Sequence, residues 1–208
     1  MTEAREAVLG RIHAALAAAP AAPSPVPRDY ERALAGATDL VELFAERVAD
    51  YRATIHRTDA DGLPAAIARI LAGWDTRTLV VPDDIPAAWI AGASAVVMLR
   101  DTPPLTKAQL DATDAVITDA AVGIAETGTI VLDARPSQGR RALSLLPDHH
   151  LCVVDVDRIV GTVPEALVRL DPRRPLTWIS GPSATSDIEL QRVEGVHGPR
   201  VLDVVIVG

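Results

Sequence analysis

The feature that most constrains the fold is the alternation of short apolar runs with helical patterns from residue 53 onward. Strands that are apolar on both faces are typical of a parallel sheet covered on both sides, and helices are its usual crossover connections. We therefore expect an α/β fold with a mainly parallel sheet covered by helices on both faces. The predicted strands span 78–81, 95–99, 115–118, 129–132, 151–154, 176–179 and 201–207.

The segments between these strands carry helix-type spacing or helix-starting residues. They predict helices over 63–72, 106–111, 139–146, 162–170 and 186–193. The connection between Thr118 and Thr129 is short for a crossover helix, so we expect a hairpin or one tight turn there.

The N-terminal part of the chain has a different composition. Residues 3–19 are rich in Ala, with apolar side chains on one helical face, and the four prolines between 20 and 27 end that helix. Asp39 and Glu42 form a capping box ahead of a second amphipathic helix. We therefore divide the chain into an N-terminal helical arm with a Pro-rich linker, 1–52, and an α/β domain, 53–208.

Charge and hydropathy exclude several classes of partner. The formal net charge is -8, and no cluster of Lys or Arg exceeds the pairs Arg140-Arg141 and Arg173-Arg174, which argues against nucleic-acid binding. The chain lacks both the pattern of a signal peptide and an apolar run long enough to span a bilayer. We expect a cytoplasmic protein with no membrane partner, which binds small molecules or proteins.

The sequence predicts no cofactor in this chain. Cys152 is the only cysteine, which excludes an internal disulfide, a cysteine-based zinc site and a self-contained iron–sulfur cluster. Glycine-rich phosphate-binding motifs are absent, and no two histidines have the spacing of a metal-binding helix face. His149 and His150 adjoin a strand, so their rings should point to opposite sides. No metal site is predicted.

The first candidate site lies after the strand 176–179. Ser186 and Glu189 form a capping box, so the loop from Gly181 to Thr185 would present backbone N–H groups to an anion at the start of a helix. The candidate ligand-binding residues there are Gly181, Ser183, Ala184, Thr185 and Asp187. A triad of Ser183, Asp187 and His197 lacks the turn that would expose the serine, so capping is the better role for Ser183.

A second stretch places Glu126 among small residues just before an apolar strand. Glu126 is either a turn acid that accepts backbone N–H bonds or a nucleophile or general base. The catalytic interpretation expects a desolvated carboxylate with a raised pKa. Thr127, Gly128 and Thr129 would then contribute to a ligand site.

A third stretch, Gly139, Arg140 and Arg141, opens a predicted helix, where cations oppose the helix dipole. The arginines either hold an anionic ligand or form a salt-bridged surface pair. We expect the three stretches to converge at the carboxyl edge of the sheet, with His197 at the rim as a ligand contact or as a residue that fixes the turn.

The three stretches together resemble the LUD domain of the lactate utilisation protein C family over roughly residues 50–208. The matching segments are Ile117-Thr-Asp-Ala, Ala125-Glu-Thr-Gly-Thr-Ile-Val-Leu, Gln138-Gly-Arg-Arg, Ser180-Gly-Pro-Ser-Ala-Thr-Ser-Asp-Ile-Glu and Gly195-Val-His-Gly-Pro-Arg. The resemblance implies a NagB/RpiA/CoA-transferase-like fold in a protein that acts with iron–sulfur partners in oxidising L-lactate to pyruvate. Because the chain lacks cluster cysteines and cofactor motifs, we expect an accessory, non-redox subunit with an anion-binding loop site.

Two other functions stay open at this point. Ala125-Glu-Thr-Gly looks like the Ser-Glu-Asn-Gly stretch of related CoA transferases, in which Glu is the covalent nucleophile, and Glu126 would be its counterpart. The flanking Ser and Asn and the family's Gly-x-Gly-Gly loop are missing, which argues against acyl transfer. The other alternative is a small-anion sensor, in which the loop from Gly181 to Thr185 and Arg140 hold the ligand.

Overall fold

A computed structural model describes residues 2–17, 25–34, 39–182, 184–185, 193–194 and 198–208. The chain divides into two compact units, Met1–Glu31 and Arg32–Gly208. The first unit contains helix α1, Thr2–Ala17, in agreement with the helix predicted near the start of the chain.

The second unit holds all the remaining elements. Its helices are α2, Leu40–Asp50; α3, Leu63–Gly73; α4, Lys107–Asp111; and α5, Val163–Arg169. Its strands are β1, Thr54–Thr58; β2, Thr78–Val80; β3, Val97–Leu99; β4, Ala115–Asp119; β5, Val122–Ile124; β6, Thr129–Leu132; β7, His149–Asp155; β8, Ile159–Val160; β9, Thr177–Ile179; β10, Ala184–Thr185; β11, Val193–Glu194; and β12, Val201–Val207.

The main sheet has six parallel strands in the order β1-β12-β7-β4-β2-β3. The neighbouring interior strands β12 and β7 pair along their whole length, from Val201 opposite His149 to Val207 opposite Asp155. Their side chains are buried on both faces apart from the strand ends, which is why these runs are so apolar. The α/β prediction is confirmed.

Each face of the main sheet is covered. Helix α3 packs Leu63, Ile67 and Leu71 on the face that carries Leu151 and Val205. On the opposite face, helix α2 packs Phe44, Ala45 and Val48 against side chains such as Cys152, Val204 and Ile206. Helix α2 was assigned from the sequence to the N-terminal arm, and here its apolar stripe lies in the core of the second unit.

A second sheet, which the sequence analysis did not anticipate, adds to the face that α2 covers. Its order is β8-β5-β6-β9, with β6 antiparallel to both β5 and β9. The predicted connection between the strands at 118 and 129, a hairpin or one tight turn, is therefore wrong, because β5 lies between them and forms the hairpin with β6. The strand β5 is only three residues long and carries Gly123 against the ring of Phe44, so it is too short to show a periodic pattern.

Two predicted helices need correction. The segment 139–146 contains only a 3₁₀ turn, Arg141–Ser144, and packs Leu143 against Val80, Leu110 and Val116. The predicted helix over 186–193 lies outside the described residues except for Val193, which belongs to β11 and pairs with Thr185 of β10. Within the described parts of the chain, no helix combines the length and the apolar character that crossing a membrane requires.

Candidate functional site

A cleft of about 280 Å³ brings together parts of two of the three predicted stretches. Arg141 comes from the second half of the Gln138-Gly-Arg-Arg segment, and Gly181 follows β9. The cleft lies beside His150 and Leu202, which pair near the amino ends of β7 and β12. Its full lining is Arg141, Ser144, Leu145, His150, Thr177, Trp178, Ile179, Ser180, Gly181, Pro182, Gly198, Pro199 and Leu202.

The predicted location at the carboxyl edge of the main sheet is therefore wrong for this cleft. The reason is topological. Strands β6 and β9 belong to the second sheet, where they run antiparallel to each other, so the loops that follow them do not share an edge with the parallel strands of the main sheet. Thr129 connects to the cleft indirectly. Its hydroxyl lies 2.8 Å from that of Ser180, which lines the cleft, and 2.7 Å from that of Thr127.

Glu126 does not have the environment that the catalytic interpretation expects. Its side chain is exposed and does not line the cleft, and its backbone N–H donates to the carbonyl of Gly161 at 3.0 Å. An exposed carboxylate keeps its hydration, so the predicted desolvation is wrong. The turn that follows Glu126 is nonetheless tightly fixed in the fold.

Two glycines predicted to bind ligand are required by packing against α2. Gly128 has φ of 57°, and a Cβ placed there would lie 2.6 Å from the carbonyl carbon of Arg47. Gly181 has φ of 81°, and a Cβ there would lie 2.5 Å from the Cβ of Tyr51. Both conformations and both close approaches exclude a side chain. These glycines allow the loops next to β6 and β9 to pack closely against the C-terminal part of α2. Gly181 also lines the cleft.

Arg140 is committed to a structural ion pair. Its Nε and Nη2 donate to the two carboxylate oxygens of Asp101 at 2.7 and 3.0 Å, and Nη2 also donates to the carbonyl of Leu105 at 2.6 Å. Burial alone would raise the pKa of Asp101, but the hydrogen bonds from Arg140 and from the Leu105 N–H lower it below its ordinary value. Of the two interpretations given above, an anionic ligand or a salt bridge, the structure agrees with the salt bridge for Arg140.

Arg141 behaves differently from its neighbour. Its side chain is exposed, lines the cleft, and makes no hydrogen bond or ion pair with the described part of the chain. It also lines a second, narrow recess of about 10 Å³, which the cleft adjoins through Arg141, Ser144 and Thr177. Among the described residues, Arg141 is therefore a cation at a concave surface without an ion-pair partner.

Gln138 also lines this recess and was missed as a site residue, although it stands in the motif. It is 2% exposed, its Oε1 accepts the N–H of Asp133 at 2.6 Å, and its Nε2 has no hydrogen-bond partner in the described structure. A buried amide N–H without an acceptor is costly. Nothing in the sequence distinguishes such a glutamine from an ordinary surface residue, because its role depends on burial, which the fold decides.

The loop that carries Gln138 is fixed by Asp133, whose carboxylate accepts two hydrogen bonds from Arg135 at 2.8 and 2.9 Å. Arg174 donates to the carbonyl of Asp133 at 2.8 Å. The hydrogen bonds from Arg135 hold the pKa of Asp133 below its ordinary value, against the effect of burial. Both arginines are thus used in positioning the loop beside the cleft.

His150 presents a neutral imidazole to the cleft. It is 1% exposed, its Nε2 lies 2.8 Å from the hydroxyl of Thr118, and burial together with the nearby His149 lowers its pKa to about 3. His149 points to the opposite face of the sheet and lies beside Trp74, with ring centroids 5.0 Å apart and the ring planes tilted by 58°. The predicted opposite orientation of the two rings is confirmed.

A buried polar cluster on the α3 side was not anticipated. Asp203 in β12 accepts hydrogen bonds at 2.6 Å from Nε2 of both His149 and His56, which lie on the two neighbouring strands. Burial opposes ionisation, but these two partners hold the pKa of Asp203 below its ordinary value. A charged residue inside the apolar run 201–207 was the available signal. Among the described residues no group of His, Cys, Asp and Glu is arranged to hold a metal ion.

Several predicted site residues cannot be placed in the cleft. Ser183, Asp187 and His197 lie outside the described residues. For Ala184 and Thr185 the backbone is described, and it forms the short strand β10 rather than a free loop. Gly139 has φ of 67° and a Cβ there would meet Leu143, so this glycine also has a packing role beside the recess.

Comparison with known proteins identifies the family. The model of the LUD domain matches residues 41–207, which includes the main sheet, the second sheet and the cleft. The chain belongs to the LUD domain family. Lactate utilization protein C of Deinococcus radiodurans is 52% identical over 190 residues, covering 89% of this chain and 85% of that protein. Lactate utilization protein C of Geobacillus kaustophilus is 28% identical, covering 81% and 78%.

A solved structure supports the same assignment for this LUD-domain protein. The crystal structure of a DUF162 family protein from Deinococcus radiodurans is similar with a TM-score of 0.69 at 46% sequence identity. The match covers 82% of this chain and 97% of the solved one. The family predicted from the sequence motifs is confirmed.

Proposed function

We propose that this LUD-domain protein takes part in lactate utilisation as a non-redox accessory subunit in the oxidation of L-lactate to pyruvate. The observation that carries the proposal is the 52% identity over 190 residues with lactate utilization protein C of Deinococcus radiodurans. In this proposal, electrons pass to iron–sulfur partner proteins, and this chain contributes binding and positioning.

The chemistry of Cys152 supports a non-redox role. It is the only cysteine of the chain, whereas an iron–sulfur cluster is commonly held by four thiolates. Cys152 is fully buried in β7, and burial raises the pKa of its thiol to about 12. Such a thiol stays protonated and is a poor nucleophile and a poor metal ligand at neutral pH. Cluster chemistry in this pathway would then reside in other chains.

The cleft supports the anion-binding part of the proposal. Arg141 supplies a positive charge that no acidic side chain of the described residues pairs with, and Ser144, Thr177 and Ser180 bring hydroxyl groups to the same lining. Glu126, on which the CoA-transferase alternative depends, is exposed and does not line the cleft. The geometry therefore favours recognition of a small anion over covalent acyl transfer.

The proposal is tested in the native host grown on L-lactate. The affinity-tagged full chain should co-purify with cysteine-rich proteins that contain iron and acid-labile sulfide, and deletion of the gene should abolish growth on L-lactate. Purification of the chain alone, together with unchanged lactate-dependent growth of the deletion strain, would refute the proposal.

Complementation of the deletion strain separates the two sites. We expect Glu126→Gln to restore growth as the unsubstituted chain does, and Arg141→Gln to restore it poorly. The opposite pattern would favour the acyl-transfer alternative, because the carboxylate of Glu126 would then be the essential group.

A further inference from the structure

Another cavity lies at the carboxyl ends of the parallel strands, next to Val153 and Asp155 of β7, whereas the cleft lies beside the amino end of the same strand. We infer that this carboxyl-edge cavity binds a small aliphatic amine in its protonated form. The carboxylates of Asp84 and Asp155 recognise its charge, and Trp89 and the apolar lining receive its alkyl body. The inference goes beyond the proposed role in lactate utilisation and does not depend on it.

The position of the carboxyl-edge cavity follows from the order of the strands in the main sheet. Strand β2 is followed by β3 on one side of it, whereas the next strand of this sheet after β4 is β7, on the other side. The segments that leave the neighbouring strands β2 and β4 therefore diverge and open a crevice between them. Ligands of open parallel sheets bind in such a crevice. Asp84 and Ile85 after β2 and Asp119 at the end of β4 line the cavity here.

The size and the apolar lining of the cavity suit a small organic molecule. Its volume is about 440 Å³, within the range of roughly 300–1,000 Å³ that is typical of ligand pockets. Leu63, Ile85 and Val153 belong to the buried core on the α3 side and also line the cavity. The half-buried Trp89 packs against the same core and lines the cavity as well. An alkyl group gains free energy by leaving water for these walls.

One acidic residue of the lining is already neutralised inside the protein. The carboxylate of Asp119 accepts a hydrogen bond from Arg158 at 2.9 Å and another from the hydroxyl of Ser137 at 2.8 Å. Arg158 also donates to the carbonyl of Ala120. This ion pair fixes one wall of the cavity and adds no net charge to it.

The carboxylates of Asp84 and Asp155 carry the charge that remains. Both residues are exposed and line the cavity, and neither forms an ion pair with the described part of the chain. One oxygen of Asp155 accepts the N–H of Asp157 at 2.9 Å. The net negative charge selects a cation, and an ammonium group donates up to three charge-assisted hydrogen bonds. The apolar walls favour an organic cation over a hydrated metal ion, and the described residues include no cluster arranged to hold a metal.

Isothermal titration calorimetry of the full chain at pH 7 tests the inference with ligands that differ in one property at a time. Butylamine should bind saturably at one site, and more tightly than butanol or butyrate, which have the same alkyl body without the positive charge. Methylamine keeps the charge but lacks most of the body, so it should bind at least about tenfold more weakly than butylamine.

Substitutions assign the binding to this cavity. Asp84→Asn and Asp155→Asn each remove one charge at nearly constant shape, and each should weaken butylamine binding by about threefold, with about a tenfold loss in the double variant. The matched control is Asp83→Asn, since Asp83 is the exposed neighbour of Asp84, accepts a hydrogen bond from Thr102 and does not line the cavity. It should leave the affinity unchanged.

Three results would overturn the inference: no saturable binding of butylamine, binding of butanol or butyrate as tightly as butylamine, or equal affinities in the double variant and the unsubstituted chain. Displacement of butylamine by millimolar magnesium chloride at constant ionic strength would also overturn it, because the carboxylates would then serve a metal ion. The substituted residues are exposed, so folding is preserved and circular dichroism can confirm it. None of these outcomes bears on co-purification or growth on L-lactate.

Discussion

Acidification should destabilise this protein through His150, and the size of the effect follows from its burial. In the native state the pKa of His150 is lowered to about 3, whereas an unperturbed histidine titrates at 6.5. Between these two values the unfolded chain binds a proton that the native chain does not, so stability falls as the pH falls. The contribution of His150 is largest above pH 6.5 and is lost progressively as the pH drops toward 3.

The magnitude can be worked out for a change from pH 7 to pH 5. The unfolded imidazole goes from about a quarter protonated to almost fully protonated, while the native ring stays neutral, and the free energy of unfolding falls by about 2 kcal/mol. Urea unfolding followed by circular dichroism at the two pH values measures this loss. His150→Gln keeps a polar side chain near Thr118 and removes the titration. Between pH 7 and pH 5, the free energy of unfolding of the His150→Gln variant should therefore fall by about 2 kcal/mol less than that of the unsubstituted chain.

Other acid-sensitive groups, including the cluster of Asp203 with two histidines, contribute to both proteins and largely cancel in the difference. His13→Gln is the matched control, since His13 is exposed in α1, and it should lose as much stability as the unsubstituted chain. Equal losses in the His150 variant and the unsubstituted chain would refute the reasoning, because they would mean that the native ring takes up a proton as readily as the unfolded one.

Two further substitutions separate packing roles from ligand binding. Gly128→Ala should lower the free energy of unfolding by about 2–4 kcal/mol, since the left-handed backbone and the contact with Arg47 both oppose a Cβ. The control is Gly73→Ala, which has open space around it and should leave the free energy of unfolding unchanged. Similar urea midpoints for the two variants would contradict this prediction. Arg140→Gln should cost about 1 kcal/mol by breaking the pair with Asp101, but it should restore growth of the deletion strain on L-lactate as the unsubstituted chain does. Poor complementation by a folded Arg140→Gln chain would instead place Arg140 in the site.

The sequence predicted the main elements of the fold because their patterns are local. The runs at 115–118, 151–154 and 201–207 are apolar enough to be central strands. The predicted cap Asp39 does accept N–H groups at the start of α2, and Thr106 and Thr162, the first residues of two predicted helices, cap α4 and α5. The family motifs were likewise visible as residue order. Short strands such as β5 and β8 were missed, because two or three residues carry no readable period.

The candidate site was predicted only in part, for a reason that Arg140 and Arg141 illustrate. Adjacent arginines have the same local signal, yet Arg140 is bound by Asp101 from a distant loop, whereas Arg141 lines the cleft and has no ion-pair partner among the residues that the structure describes. Gly128 and Gly181 were recognised as unusual, but the contacts that explain them come from the end of α2. The role of each of these residues therefore depends on contacts with residues that are distant in the sequence.

The sequence by itself determined the α/β class, the positions of the central strands and the family, since apolar periodicity, capping and motif order are properties of neighbouring residues. The tertiary structure alone decided that β6 and β9 form a separate sheet, and that the cleft opens beside the amino ends of β7 and β12. It also decided that Gln138 is buried with an amide N–H that meets no acceptor in the described structure, and that Asp203 lies between two histidines. Burial and pairing depend on which distant segments meet, and that is settled only when the sheets pack on α2 and α3.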